Sequence, residues 1–236
     1  MSSRQLKKGL IPETKELDNI YDNFIVEKNP PLPYIIQHFK SLEGEGGDNA
    51  VGLTTLFLRL NKCNLSCNFC DTSFSIKGDE KYNIVRADTD LTELLNEKYS
   101  EEDRKYIHSC SITGGEPLIH LEYFEDIIEE LLESFNGINH IIVETNGLYL
   151  YKKENAMKFA ELSNIYADRI KFTLSISPKL DARVSYGKAG RNGDINEKNI
   201  LDIYEVVFKN YKRYLTNVVN IQCKFVHSQV LKESNE

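Results

Sequence analysis

Apolar positions along this chain recur with two periods. From residue 121 to 135 they fall three and four apart, at Leu121, Phe124, Ile127, Ile128, Leu131, Leu132 and Phe135, and Gly137 follows. Such spacing lays an apolar stripe along one face, so it predicts a helix over 121–135 stopped by the glycine. Glu122, Glu125, Asp126, Glu129 and Glu130 then form its solvated face. Further helices are predicted over 91–98, with Thr89 or Asp90 as N-cap, over 153–162 and over 197–214. Short runs rich in β-branched and apolar residues predict strands at 34–39, 54–60, 109–113, 138–144, 170–176 and 218–227. Glycines interrupt the pattern at 43–47, 114–115 and 147, as loops require. Strand and helix alternate, which argues for parallel βαβ units and an α/β fold. Ligands in such folds collect at the carboxyl ends of the strands. The residues at those ends are therefore the first candidates for chemistry: Cys63, Gly114, Glu144 and Ser177.

Residues 1–32 are polar and end among Pro30, Pro31 and Pro33, which suggests an N-terminal extension ahead of one core domain over 33–236. With 236 residues, 41% of them hydrophobic, the chain can bury a sizeable core. A net charge of −7 leaves no basic footprint for nucleic acid. No apolar run approaches the about 20 residues that cross a bilayer, and Met1–Lys8 has no apolar segment of the kind that opens a secretory leader. Neither a membrane anchor nor export is expected. The cysteine count is odd, and three of the five lie within eight residues. That arrangement is poor for a disulfide framework and good for a metal site in a reducing cytoplasm.

The three are Cys63, Cys67 and Cys70, spaced C-x3-C-x2-C. Thiolates are soft ligands suited to iron–sulfur clusters, zinc or copper(I). Three of them can hold three irons of a four-iron cluster and leave the fourth open to a small molecule. Structural zinc usually takes four protein ligands, and the loop supplies three. Cys110 and Cys223 sit in apolar strands and read as core fillers. One βα unit further on comes Thr113-Gly114-Gly115-Glu116-Pro117. Two glycines let backbone approach a ligand closely, and Glu116 could accept from an ammonium. His38, His108, His120, His140 and His227 show no ligand spacing and read as structural or surface residues.

Together these motifs resemble the radical S-adenosylmethionine (SAM) superfamily, over roughly residues 34–227. The resemblance implies an incomplete (β/α)6-type barrel with a 4Fe–4S cluster at the carboxyl ends of its strands. It implies that SAM chelates the open iron and is split by an electron from the cluster, and that the resulting radical takes a hydrogen atom from the substrate. Phe69, Gly114, Gly115 and Glu116 fall on the superfamily's SAM-binding positions.

Three finer features, Ser41-Leu42-Glu43-Gly44-Glu45-Gly46, Cys70-Asp71-Thr72 and Ser177-Pro178-Lys179, are similar to those of the 7-carboxy-7-deazaguanine synthase family. That family turns 6-carboxy-5,6,7,8-tetrahydropterin into 7-carboxy-7-deazaguanine, a precursor of queuosine-type deazapurines, with loss of ammonia. By this resemblance Thr72 binds Mg²⁺, Ser177, Pro178 and Lys179 bind SAM, and Leu42, Glu43, Gly44, Glu45, Arg59, Thr113 and Glu144 bind the pterin. The family's usual pattern has Gln where this chain has Glu43. A flavodoxin- or ferredoxin-like electron donor and a homodimer are implied likewise. Family members usually continue beyond the point reached at His227, so two alternatives stand: a shortened chain, or a site closed by other means, such as a partner or residues 1–32.

Plainer readings stand beside these: an N-cap or turn hydroxyl for Thr72, a salt bridge for Arg59, a solvated acidic turn for Glu43 and Glu45, a simple turn at Glu144, an exposed helix-start lysine for Lys179. Two rival functions remain. A glycyl-radical activase shares the cysteine spacing but has no use for residues 43–46 or Thr72. A zinc-binding interaction module is the reading from another class.

Overall fold

The computed structural model describes residues 15–24, 31–44, 50–67, 69–76, 79–180, 184–186, 197–216 and 219–224. Helix α1 (Lys15–Phe24) precedes strands β1 (Tyr34–Leu42), β2 (Thr54–Leu60) and β3 (Leu65–Cys67). Helix α2 (Ser73–Ile76), strand β4 (Val85–Arg86) and helices α3 (Leu91–Lys98) and α4 (Glu101–Tyr106) follow. Strand β5 (Ser109–Gly114) leads to α5 (Phe124–Ser134), β6 (His140–Thr145) to α6 (Lys153–Ile165), and β7 (Lys171–Ile176) to β8 (Val184–Tyr186), α7 (Glu197–Asn210) and β9 (Val219–Cys223).

Seven strands form one sheet in the order β4-β1-β2-β5-β6-β7-β9. From β2 through β9 every neighbouring pair is parallel, while β1 runs antiparallel to both β2 and β4. Consecutive parallel strands joined by helices make a (β/α) barrel wall that does not close, the incomplete barrel expected. The described residues hold five parallel strands. Their sequences explain their place. In β2 the residues Leu56, Leu58 and Leu60 are fully buried on one face, and β5 is buried along nearly its whole length, as suits a central parallel strand covered on both sides.

The helix expected over 121–135 begins differently. Pro117–Tyr123 is a 3₁₀ turn and the α-helix proper starts at Phe124. Leu118, Leu121 and Phe124, three apart and buried, fit three residues per turn, and Pro117 opens the turn. Helix α4, absent from the sequence reading, is held by a capping box in which Ser100 accepts from the Asp103 N–H and the Asp103 carboxylate accepts from the Ser100 N–H. Helix α1, within the N-terminal stretch, buries Leu17 and Tyr21, stacks Tyr21 on Tyr151 at 4.4 Å and pairs Asp18 and Asp22 with Lys152.

One junction positions everything at the rim. Where β2 ends, its chain passes so near the end of β5 that backbone meets backbone. Gly115 N–H donates to Leu60 O at 3.1 Å, and Glu116 N–H donates to Lys62 O at 2.9 Å. A Cβ on Gly115 would lie 1.7 Å from Lys62 O, and one on Gly114 would lie 2.2 Å from Leu60 O. Gly114 also has a φ of +127°, which a side chain rarely tolerates. The glycine pair is therefore required by the strand carrying the cysteines.

Gly115→Ala is expected to cost about 3 kcal/mol or more of stability, the upper end for overpacking, because the obstructing atoms are backbone. Gly44→Ala, where an added Cβ meets nothing within 4 Å, should stay within about 0.5 kcal/mol. Urea unfolding of the two variants measures the difference.

Candidate active site

A cavity of about 320 Å³ opens at the carboxyl ends of the parallel strands, within the size range of small-molecule and cofactor pockets. Cys63, Cys67 and Cys70 all lie on its wall. The loop that carries them is fixed at several points. Lys62 takes a left-handed φ of 62° and its N–H donates to Ser75 O at 2.7 Å. Strand β3 pairs with β8, setting Cys67 opposite Val184. Cys70 N–H donates to Cys67 O at 3.1 Å. Leu65 N–H donates to Cys63 Sγ at 3.4 Å.

Burial, and then the nearby Glu116 carboxylate, hold the Cys63 thiol well above its usual range. A thiolate there needs metal to stabilise it, since the ligating form is the deprotonated one. Among the described residues no three His, Cys, Asp or Glu side chains converge on a single metal ion. Three thiols on one cavity wall are one short of the four protein ligands that structural zinc usually takes. The donor set thus fits the four-iron cluster.

The Gly114–Gly115 turn faces the same cavity. Glu116 follows, fully buried. Its Oε1 accepts from Leu118 N–H at 3.0 Å and from Thr145 O–H at 2.5 Å, and its Oε2 accepts from Asn146 N–H at 2.7 Å. Expected to receive a ligand ammonium, this carboxylate is instead engaged by three internal donors and braces the end of β5 to the end of β6. Burial pushes its pKa up to about 7, against the lowering pull of those donors and of Lys179.

Ser177 and Lys179 lie on the cavity wall and Pro178 does not. Lys179 Nζ donates to Ser177 Oγ at 2.9 Å, and its backbone N–H donates to Tyr204 Oη at 2.9 Å. Tyr204 in turn donates to Asn146 O at 2.9 Å. Lys179 is thereby tied into the rim rather than extended into solvent as a helix-start lysine. Phe69 also lines the cavity.

Thr72 is buried, with Oγ1 3.6 Å from Cys70 Sγ and donating to Asp71 Oδ1 at 3.4 Å. The first turn of α2 is served by its carbonyl, which accepts from Ser75 N–H and Ser75 Oγ. Thr72 lines the cavity, and its hydroxyl makes no capping bond to the α2 backbone.

Arg59 and Thr113 also line the cavity. The guanidinium lies 5.9 Å over the Phe39 ring and its Nε is buried without a hydrogen-bond partner. Among the described residues no carboxylate pairs with it. Glu144 Oε1 accepts from Ser111 O–H at 2.8 Å and its Oε2 lies 3.4 Å from Lys224 Nζ.

The structure does not bring Leu42, Glu43 and Gly44 to this cavity. Leu42 pairs with Thr54 at the amino end of β2, and the six steps to Leu60, at about 3.3 Å each, put it roughly 20 Å from the rim. Antiparallel pairing of β1 with β2 is the cause, and residue type alone could not reveal it. Glu43 is buried there at 3% exposure and is no solvated turn, with its N–H donating to Leu53 O and its carbonyl accepting from Gly52 N–H. Glu45 lies outside the described residues. Conversely, Lys224, Thr145, Asn146 and Leu65 line the cavity without having been singled out, as does Asp71, noted only as part of the Cys70-Asp71-Thr72 segment. The strand predicted over 218–227 ends at Cys223, which is what brings Lys224 to the rim and why the sequence did not mark it.

Residues 58–221 match the radical SAM superfamily. A 7-carboxy-7-deazaguanine synthase of Methanothermobacter thermautotrophicus is 29% identical over 78% of this chain and 68% of its own length. One from Neisseria meningitidis serogroup B is 31% identical over 61% of this chain and 67% of its own length. The crystal structure of QueE from Escherichia coli aligns over 82% of this chain and 84% of that one, at 19% identity and a TM-score of 0.46. The fold and its three-cysteine rim define a radical SAM protein, which implies a 4Fe–4S cluster and SAM. Within that superfamily the chain belongs to the 7-carboxy-7-deazaguanine synthase family.

The raised Glu116 pKa makes a signed prediction. A carboxyl that ionises at about 4.5 when unfolded and about 7 when folded contributes stability below pH 4.5 that is lost as pH rises through 7. The stability of the wild-type apoprotein minus that of Glu116→Gln should therefore fall by up to about 3 kcal/mol between pH 4.5 and 7.5. Urea unfolding of both proteins across that range tests it, and an unchanged difference would contradict a raised pKa.

Proposed function

We propose that this chain is a ring-contracting lyase that converts 6-carboxy-5,6,7,8-tetrahydropterin to 7-carboxy-7-deazaguanine with release of ammonia, the product for which its relatives are named. The observation that carries the reading is one cavity lined both by three cysteines and by an arginine with no carboxylate partner among the described residues. When bound, the cluster and SAM supply the one-electron chemistry that removes a hydrogen atom from the substrate.

Cys63, Cys67 and Cys70 hold the cluster. Phe69, Gly114, Gly115, Ser177 and Lys179 form the SAM side, with Pro178 fixing the backbone between the last two and Glu116 keeping the glycine turn in place. Arg59 receives the substrate carboxylate, because a guanidinium presents paired donors in the plane a carboxylate needs. Phe39 beneath it restrains its tilt. Thr113 and Glu144 offer hydrogen bonds to the pterin edge, where a carboxylate is an apt acceptor for ring N–H groups. Lys224 and Ser111 hold Glu144 in place for that contact.

Thr72 would hold Mg²⁺ through a hard hydroxyl oxygen, leaving most of the shell to water and substrate oxygens. The three-thiol cavity favours this reading over a zinc module, and a cavity-lining Thr72 favours it over a glycyl-radical activase. The proposal is completed by a flavodoxin- or ferredoxin-like electron donor, a homodimer and the reducing cytoplasm.

Anaerobic turnover with SAM, Mg²⁺ and a reductant, followed by product mass and ammonia release, tests the assignment. Formation of 7-carboxy-7-deazaguanine is expected, and a loaded protein that leaves the pterin unchanged would refute it. Arg59→Lys should raise KM roughly 10–100-fold, the equivalent of one charge-assisted hydrogen bond of about 1.5–3 kcal/mol. Thr72→Ala should abolish the response of rate to magnesium, and full activity at every magnesium level would remove Thr72 from the metal site.

A further inference from the structure

Asn64, next to the first cysteine, carries an unspent hydrogen-bond donor. Its side chain is 92% shielded, since 8% of it is exposed. The orientation of its carboxamide is fixed by a one-way chain of bonds. Leu148 N–H can only donate, and it donates to Asn146 Oδ1 at 3.0 Å. Asn146 must therefore present its Nδ2, which donates to Asn64 Oδ1 at 2.8 Å. Asn64 must then turn its own Nδ2 the other way, where it is buried without a hydrogen-bond partner. Leaving such a donor unsatisfied costs about 1–3 kcal/mol, and an orphan of this kind calls for a missing partner.

The nearest group that changes character is the Cys63 sulfur. In the thiol form it is itself a donor, 3.9 Å from Asn64 Oδ1, and its acceptor side takes Leu65 N–H. Once it binds iron it has lost its proton and can only accept. The Cys63 sulfur lies 3.9 Å from the oxygen of this carboxamide, which makes it the candidate acceptor for Nδ2 once the thiol proton is gone.

We infer that Asn64 is a positioning residue for the cluster, donating from Nδ2 to the Cys63 sulfur in the loaded protein and raising the cluster's reduction potential. The inference rests on the proposed cluster. The reduced cluster carries one more negative charge than the oxidised one, so an N–H aimed at its sulfur stabilises the reduced state more. Hydrogen bonds to the sulfurs are a known determinant of such potentials. Asn146 serves as the anchor that keeps the donor pointed away from the β6 turn.

The test is the midpoint potential of the anaerobically reconstituted full chain without SAM, followed by EPR at matched iron and sulfide content. Asn64→Leu, close to Asn in volume but without donors, should shift the midpoint downward. An unchanged or higher midpoint overturns the inference. If Asn64→Leu takes up no cluster, Asn64→Asp, which keeps the acceptor for Asn146, must show the downward shift or the inference fails. If neither variant loads, wild-type protein labelled with side-chain ¹⁵N asparagine decides. Pulsed EPR of its reduced cluster should show a ¹⁵N coupling, and its absence overturns the inference. Wild type that makes product while the variants keep its potential would refute the role of Asn64 alone. Wild type that binds no cluster would refute the reading beneath it.

Discussion

The site depends on a contact between two stretches of backbone. Leu60 and Lys62, leaving β2, accept hydrogen bonds from Gly115 and Glu116, leaving β5. No side chain fits between them. Cys63 begins immediately after this junction, so the position of the first ligand is set by main-chain geometry, which is stiffer than any side-chain packing. The left-handed Lys62 turns the chain into the loop at the same place. A strained residue held by its neighbours in this way is characteristic of a functional site.

Glu116 extends the junction to a third strand. By accepting from Leu118, Thr145 and Asn146 it ties the glycine turn to the end of β6, and Tyr204 continues the tie from Asn146 to Lys179 at the end of β7. Cysteine loop, glycine turn and Lys179 are thus joined into one rim. Two groups beside the rim remain buried without a hydrogen-bond partner, the Arg59 Nε and the Asn64 Nδ2. Structure and chemistry divide along that line. Glu116, Asn146 and Tyr204 spend their polar atoms on the rim itself, while Arg59 and Asn64 each keep one donor unspent.

Much of this was legible in the sequence. The span of β2 follows from its β-branched and apolar residues, and the spans expected for β2 and α3 match the structure to the residue, although the Asp90 side chain makes no capping bond. The cysteine spacing pointed to a cluster because ligand number is written in sequence. What could not be read is what depends on pairing. Leu42–Gly44 look like a binding loop, yet antiparallel pairing sends them to the far end of the sheet. Glu116 looks like a free acid beside two glycines, yet its partners lie 29 and 30 residues on in the chain. Lys224 and Asn146 reach the cavity only because β9 and β6 end at the same rim.

The claim on which all else turns is that three thiols hold a four-iron cluster with one iron left to an exogenous ligand. Mössbauer spectroscopy of protein reconstituted anaerobically with ⁵⁷Fe, recorded before and after SAM is added, examines it most directly. One 4Fe–4S cluster per chain, with a single iron site whose parameters change on adding SAM, is the outcome required. A spectrum without a cubane cluster, or with four iron sites indifferent to SAM, would contradict it.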